Sequence, residues 1–259
     1  MVGLFEHALL LDPTAVYAMT GIAYYLTDHT LYGWGNFKDM QRASHLLEQA
    51  RAIAPNSEFV LNTYVFWLRT VGRCPEAIEL ARHTIQTDSN RTRTWIGFYN
   101  ELSVCEILRG QAEDGLALQA EADRLNPISS YKLFRYGQMG WASLMLGRDQ
   151  DAITNLERSL AISQEPAAAY TQWRYRLLAA AYARIGQLEE ARHYLSEADQ
   201  RWPYDTIRGG PTVLLSSLAV VKIRKRTNIQ ILMKTKRRQE KSCHMNGMKP
   251  IARPVEITE

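Results

Sequence analysis

An all-α chain, folded as a solenoid of helical hairpins, is what the sequence predicts, and three observations predict it. The first is periodicity within one stretch: Tyr175, Leu178, Ala179 and Tyr182 recur at i, i+3, i+4 and i+7 and so share one face of a helix. The second is punctuation. Gly186 breaks that pattern, a second stripe of Ala191, Leu195 and Ala198 follows, and Pro203 forbids further helix just past it. The third is recurrence: hinge glycines at 72, 110, 147 and 186 lie 38, 37 and 39 residues apart (110−72, 147−110, 186−147). A small residue stands five positions after each hinge, at Ala77, Gly115, Ala152 and Ala191.

These residues resemble the tetratricopeptide repeat family, whose 34-residue unit places small residues where its two helices touch. The match is strongest at Tyr175, Leu178, Ala179, Gly186, Ala191, Ala198 and Pro203, and at Leu61, Tyr64, Val65, Gly72, Ala77 and Ala81. The resemblance implies a right-handed superhelical solenoid whose first helices line a concave groove. The chain departs from the pattern in its longer spacing, about four inserted residues per repeat, and at Glu106, which falls where an apolar core residue is expected.

In chain order, residues 1–13 read as the second helix of a repeat whose first helix is missing. Such a helix exposes an apolar stripe, Leu4, Leu9 and Leu11 included, unless upstream sequence or a partner covers it, so the chain reads as cut from a longer array. Residues 16–26 form the next first helix. Residues 27–39, with Tyr32, Trp34 and Phe37, read as an insertion, either a loop packing its rings onto the solenoid or a ligand-contacting loop. This unit and the one before it keep the second-helix pattern (Ala43, Leu47, Ala50, Pro55; Phe5, Ala8, Pro13) without a hinge glycine. The remaining pairs are 57–71 with 75–87, 94–109 with 111–125, 131–146 with 149–162, and the hairpin through Gly186. Pro75 sits in a first turn, where its missing donor does no harm. Residues 164–167 connect the last two hairpins. Asn90-Arg91-Thr92 matches a glycosylation acceptor and is read as fortuitous in a chain without a secretory leader.

Past residue 209 the character changes. Residues 1–205 hold 19 Lys and Arg against 24 Asp and Glu, net −5, whereas residues 206–259 hold 12 against 3, net +9; together they give the overall +4. The boundaries are therefore a repeat domain over 1–209, of about five hairpins with the first unit incomplete, and a basic tail over 210–259. Residues 223–241 could form a basic helix with Ile229, Leu232 and Met233 on one side, suited to an anionic membrane surface or nucleic acid. The competing readings are a solvated, disordered tail, and a tail that stems from a shifted reading frame.

The residues offer little chemistry. His7, His29, His45, His83, His193 and His244 form no zinc-type pair, and no phosphate loop, dinucleotide fingerprint or nucleophile elbow occurs. No cofactor, metal or catalytic residue is expected, and the chain is read as not an enzyme. Glu113-Asp114 and Glu189-Glu190 open second helices, where they offset the helix dipole. Cys74, Cys105 and Cys243 are odd in number and distant in sequence, which disfavours a disulfide and fits a reducing cytoplasm. No apolar run approaches the ~20 residues that span a bilayer.

What remains is a surface. By the resemblance, the groove positions precede each hinge by thirteen, ten, six and three residues. They are Phe59, Asn62, Phe66 and Arg69; Gly97, Asn100, Val104 and Ile107; Phe134, Gly137, Trp141 and Leu144; and Trp173, Arg176, Ala180 and Ala183. Of these, Phe59, Asn62, Phe66, Arg69, Phe134, Trp141, Trp173 and Arg176 are the candidate partner-binding residues. Rings and arginines dominate interface energetics, so a protein or peptide ligand is one reading, and packing of the rings between adjacent repeats is the other. The Lys and Asn pattern that clamps a C-terminal carboxylate in chaperone-binding members is not seen. A narrower resemblance covers residues 1 to about 209: LYGWGNFKDMQRASHLLEQARAIAP and YLSEADQRWPYDTIRG are similar to the C-terminal repeat region of bacterial class III adenylate cyclases and related signalling regulators. It implies a regulatory role beside a catalytic or DNA-binding partner domain, with no catalytic residue in this chain.

Overall fold

In a computed structural model, residues 2–87, 96–128, 131–163 and 171–201 are described, and their regular elements are α-helices without a strand. The basic tail, Asn90–Thr92, the 164–167 connection and Pro203 lie outside the described residues. α1 (Val2–Leu11) is followed by five antiparallel pairs. They are α2 (Val16–Leu31) with α3 (Phe37–Ile53), α4 (Glu58–Thr70) with α5 (Cys74–Thr87), α6 (Ile96–Leu108) with α7 (Ala112–Leu125), α8 (Lys132–Met145) with α9 (Asp149–Ala161), and α10 (Gln172–Arg184) with α11 (Leu188–Arg201). First helices touch one another in series (α2 with α4, α4 with α6, α6 with α8, α8 with α10), and each second helix packs on the first helix of the next pair. This is an all-α helical-repeat solenoid.

The hinges are built alike. Gly33, Gly72, Gly110, Gly147 and Gly186 all adopt φ between 80° and 85°, the left-handed region that a Cβ disfavours. After each glycine the next N–H reaches back five residues to a helical carbonyl, as from Arg73 to Leu68 (2.8 Å) and from Gln187 to Tyr182 (3.0 Å), a Schellman termination. Gly33 corrects the expectation that the 16–54 unit lacks a hinge. Trp34 N–H bonds to the His29 carbonyl at 2.9 Å in the same geometry, but extra residues delay Ala43 to the tenth position after the glycine, so the spacing rule misses it. The insertion is also less loop than expected. α2 runs on to Leu31, with the Thr27 and Thr30 hydroxyls donating to the Ala23 and Leu26 carbonyls. Asn36 then starts α3 with a capping box closed by Asp39.

Small residues allow the helices to meet. Ala77, Ala81, Ala152, Ala191 and Ala198 are at most 1% exposed. A Cβ on Gly140 would lie 2.5 Å from Leu156 Cγ, so α8 and α9 touch there only because the side chain is absent. The core is continuous: Phe98, Leu102 and Cys105 of α6 belong to the N-terminal cluster, Val104 and Ile107 to the C-terminal one. On α1, Leu9 packs onto this core while Leu4, Leu10 and Leu11 are exposed.

Two further expectations change. Glu106 is indeed buried at a core position, and two guanidinium groups satisfy it there, from Arg82 at 3.1 Å and Arg109 at 3.4 Å. Cys74 and Cys105, expected to stay unpaired, are joined as a disulfide with Cα atoms 5.4 Å apart. Their 31-residue separation is close to one repeat, and stacking of consecutive hairpins brings the start of α5 against α6.

Candidate functional site: the first-helix face

The first helices present a face of rings in two rows. On α2, Tyr17, Tyr24 and Asp28 recur at i, i+7 and i+11 and therefore point the same way. Opposite them on α4 stand Phe59 and Phe66. Tyr17 meets Phe59 with centroids 5.0 Å apart, and Tyr24 meets Phe66 at 5.4 Å. The rings differ in burial. Phe66 is 6% exposed and serves the core, whereas Tyr17, Tyr24 and Phe59 are exposed, Tyr17 by 68%. Tyr131 and Trp34 add further exposed rings, and Tyr25, His29, Tyr32 and Trp34 pack on one another.

Polar groups fill the space beyond the rings. Arg69, with its guanidinium 4.9 Å from the Phe66 ring, is ion-paired with Glu101 of α6, both side chains 10% exposed. From Glu101 a hydrogen-bonded chain runs onward: Asn100 donates to Glu101 (3.2 Å), Gln138 of α8 donates to Asn100 (2.7 Å), and Gln119 of α7 donates to Gln138. A buried network of this kind fixes register, because slipping one repeat would orphan every member.

Of the remaining candidate residues, Asn62 is half-buried against Gly97, where an added Cβ would meet its Nδ2 at 2.5 Å; that nitrogen is buried without a hydrogen-bond partner. Trp141 is 3% exposed, edge-on to Trp173 at 6.5 Å, and its indole N–H also lacks a partner. The Arg174 guanidinium, fully buried, lies 4.5 Å from the Trp173 ring and 5.4 Å from that of Phe134. Arg176 pairs with Asp199 of α11 at 3.9 Å. Val104, Ile107, Leu144 and Ala183 are core, and Asn100 is a link in the network. Packing between repeats thus takes Phe66, Arg69 and Trp141, while Phe59 stays open.

Sequence spacing missed Tyr17, Tyr24, Asp28 and Tyr131. α2 runs three residues longer than α4, 16 against 13, so offsets counted from its hinge select the wrong residues. The i, i+7, i+11 recurrence was the available signal. Asp28 stands out electrostatically. Burial raises its carboxyl above the usual value, while His29 and Arg69 pull the other way. No hydrogen bond or ion pair holds its carboxylate among the described residues, since Arg69 is committed to Glu101. Burial also raises the neighbouring Tyr24, Tyr32 and Tyr131 phenols, with the Asp28 charge adding to the first two. The face therefore offers exposed π-surfaces and, on the same side of α2, a carboxylate without an ion pair among the described residues. Among the described residues no cluster of His, Cys, Asp and Glu could hold a metal.

No family model and no curated protein matches the chain. Solved structures do match. The type IV pilus biogenesis factor PilW superposes with a TM-score of 0.57 at 17% identity, covering 83% of this chain and 87% of its own. A thermophilic TPR protein of Thermus thermophilus gives 0.53 at 22% identity, covering 70% and 92%. A Podospora anserina structure described as kinesin-light-chain-type, nearly identical TPR-like repeats gives 0.53 at 18%, covering 73% and 95%. At such identities the likeness concerns the fold, and the fold of this chain is that of tetratricopeptide-repeat solenoids.

Proposed function

We propose that the chain is a non-catalytic protein-interaction module that holds a partner segment on the first-helix face, at the Tyr17, Tyr24 and Phe59 rings. The supporting observation is that these three rings stay exposed on consecutive first helices while the first-helix rings Phe66 and Trp141 are buried. Large amphipathic rings on a rigid helical scaffold supply contact area at low entropic cost. One fold relative is by name a pilus biogenesis factor, which ties that protein to an assembly and gives no partner for this one. We propose a cytoplasmic location from the sequence, where the Cys74–Cys105 disulfide of this structure would be subject to reduction to two thiols.

The experiment is a phage-displayed peptide selection against the full chain, repeated with Tyr17→Ala/Tyr24→Ala/Phe59→Ala after circular dichroism confirms its helicity. A consensus motif enriched on the first and absent on the second is the expected result. The same peptides on both, or no consensus on either, would sink the reading. Phe66, Trp141 and Trp173 are unsuited to this test, because the first two are core residues.

A second reading follows the narrower resemblance: the repeats form the regulatory part of a cyclase-type or DNA-binding signalling regulator. A co-encoded catalytic or DNA-binding chain that co-purifies with this one would support it, and co-purification with unrelated proteins only would remove it.

A further inference from the structure

The repeats and the tail carry opposite charge. Residues 222–241 contain nine Lys and Arg against one Glu, in two basic runs, 222–226 and 234–241, flanking the apolar 229–233. The α2–α4 part of the first-helix face carries groups that can take such cations. Exposed Tyr17, Tyr24 and Phe59 rings share this face with the Asp28 carboxylate, and Arg69, one of the two cations whose charge acts on Asp28, is ion-paired with Glu101. Rings of this kind take cations within about 6 Å of their centroids, and the protein already uses that contact, with the Arg51 guanidinium 4.2 Å from the Tyr64 ring. Reach is sufficient. Between Arg201, the last described residue, and Lys222 lie 20 residues, able to span up to about 70 Å. Five hairpins stacked at about 10 Å per layer measure about 50 Å.

We propose that the α2–α4 part of the first-helix face is occupied by the chain's own residues 222–241, their lysine and arginine side chains lying over Tyr17, Tyr24 and Phe59 and pairing with Asp28. This rests on the interaction reading above and makes the tail an internal ligand that an outside partner must displace. The segment binds most firmly at low ionic strength, because its contacts are charge pairs at a partly exposed face.

Zero-length carbodiimide coupling of the full chain, followed by peptide mass spectrometry of the monomer, tests it. The expected product is an amide between Asp28 and a lysine of 222–241, depleted severalfold in high salt and absent in Asp28→Asn, whose side chain keeps the same shape. Tail lysines coupled only to acids on second helices such as Glu113 or Glu189, or to none, overturn the proposal. So does a product confined to cross-linked dimers. As a second measurement, a fluorescent peptide of residues 222–241 is titrated onto the full chain carrying Lys234→Gln, Lys236→Gln, Arg237→Gln and Arg238→Gln. Binding about fivefold weaker in the added presence of Asp28→Asn, roughly the loss of one half-exposed ion pair, is expected. Affinity indifferent to both Asp28→Asn and Tyr24→Ala overturns the assignment. So does a peptide that binds anionic vesicles or duplex DNA but not the chain. Phage-selected peptides that need Tyr17, Tyr24 and Phe59 while the tail peptide does not bind would remove this inference and leave the interaction reading intact.

Discussion

Removing Glu101 is the sharpest probe of how the repeats are locked together. Its carboxylate and the Arg69 guanidinium are each 10% exposed and join α4 to α6. Glu101→Ala leaves a desolvated guanidinium facing only the Phe66 ring and, farther off, the uncommitted Asp28. It also costs Asn100 one acceptor, which disturbs the chain through Gln138 to Gln119. Breaking a buried pair from one side costs about 3–5 kcal/mol, whereas replacing both charges with apolar groups of similar volume is near neutral. We therefore expect Glu101→Ala to lose about 3–5 kcal/mol and Arg69→Met/Glu101→Leu to lose far less. Urea denaturation followed by circular dichroism gives both numbers. Hydrogen exchange locates the loss, which should appear in α4–α6 and spare α10–α11, because each repeat touches only its neighbours. A Glu101→Ala cost below about 1 kcal/mol, the range of solvent-exposed pairs, would refute the argument. An equal cost for the single and double variants would do the same.

Three other perturbations follow from the same contacts. Gly140→Val places a Cβ 2.5 Å from Leu156 Cγ and 3.1 Å from the Ala152 carbonyl, and should lower stability by about 1–3 kcal/mol; an unchanged calorimetric melt would place the α8–α9 contact elsewhere. In the chain carrying Lys234→Gln, Lys236→Gln, Arg237→Gln and Arg238→Gln, whose tail no longer neutralises Asp28, Asp28→Asn should raise the melting temperature at neutral pH. Burial lifts the folded-state pKa of Asp28 above its unfolded value, so its ionisation subtracts stability progressively as pH rises from the unfolded to the folded value. Melts across weakly acidic pH should show that decline in the parent and less of it in the variant; parallel curves would contradict it. For the cysteines, alkylation in intact cells before lysis reports the compartment. A cytoplasmic protein should yield labelled Cys74 and Cys105 peptides, and a linked peptide would place the protein in an oxidising compartment instead.

Much of the fold was legible because it is written locally. A left-handed hinge needs glycine, a close helix crossing needs Ala or Gly, and an amphipathic helix needs apolar residues at helical spacing. All three constraints act within about 20 residues, so Gly186, Ala191 and Ala198 declare a hairpin without their neighbours. Where local spacing was distorted, legibility failed: Gly33 went unrecognised because its second helix starts late. The candidate site was legible in its setting and not in its membership. Groove offsets correctly named first-helix residues, yet nothing in the sequence distinguishes Phe59, which stays exposed, from Phe66, seven residues on, which stacking against Tyr24 and the next repeat buries.

The sequence by itself therefore determined the helical class, four of the five hinge glycines and the contrast between an acidic 1–205 and a basic 206–259, each a property of one hairpin or of composition. Tertiary structure decided which rings face outward, that Cys74 meets Cys105, that Glu106 is neutralised by Arg82 and Arg109, and that Asp28 is left without the cation that Glu101 takes. Those contacts join residues 24 to 42 positions apart or lie between different helices, apart from the neighbouring turn that links Glu106 to Arg109. Their partners depend on the register in which one hairpin stacks on the next, a quantity that no single repeat contains.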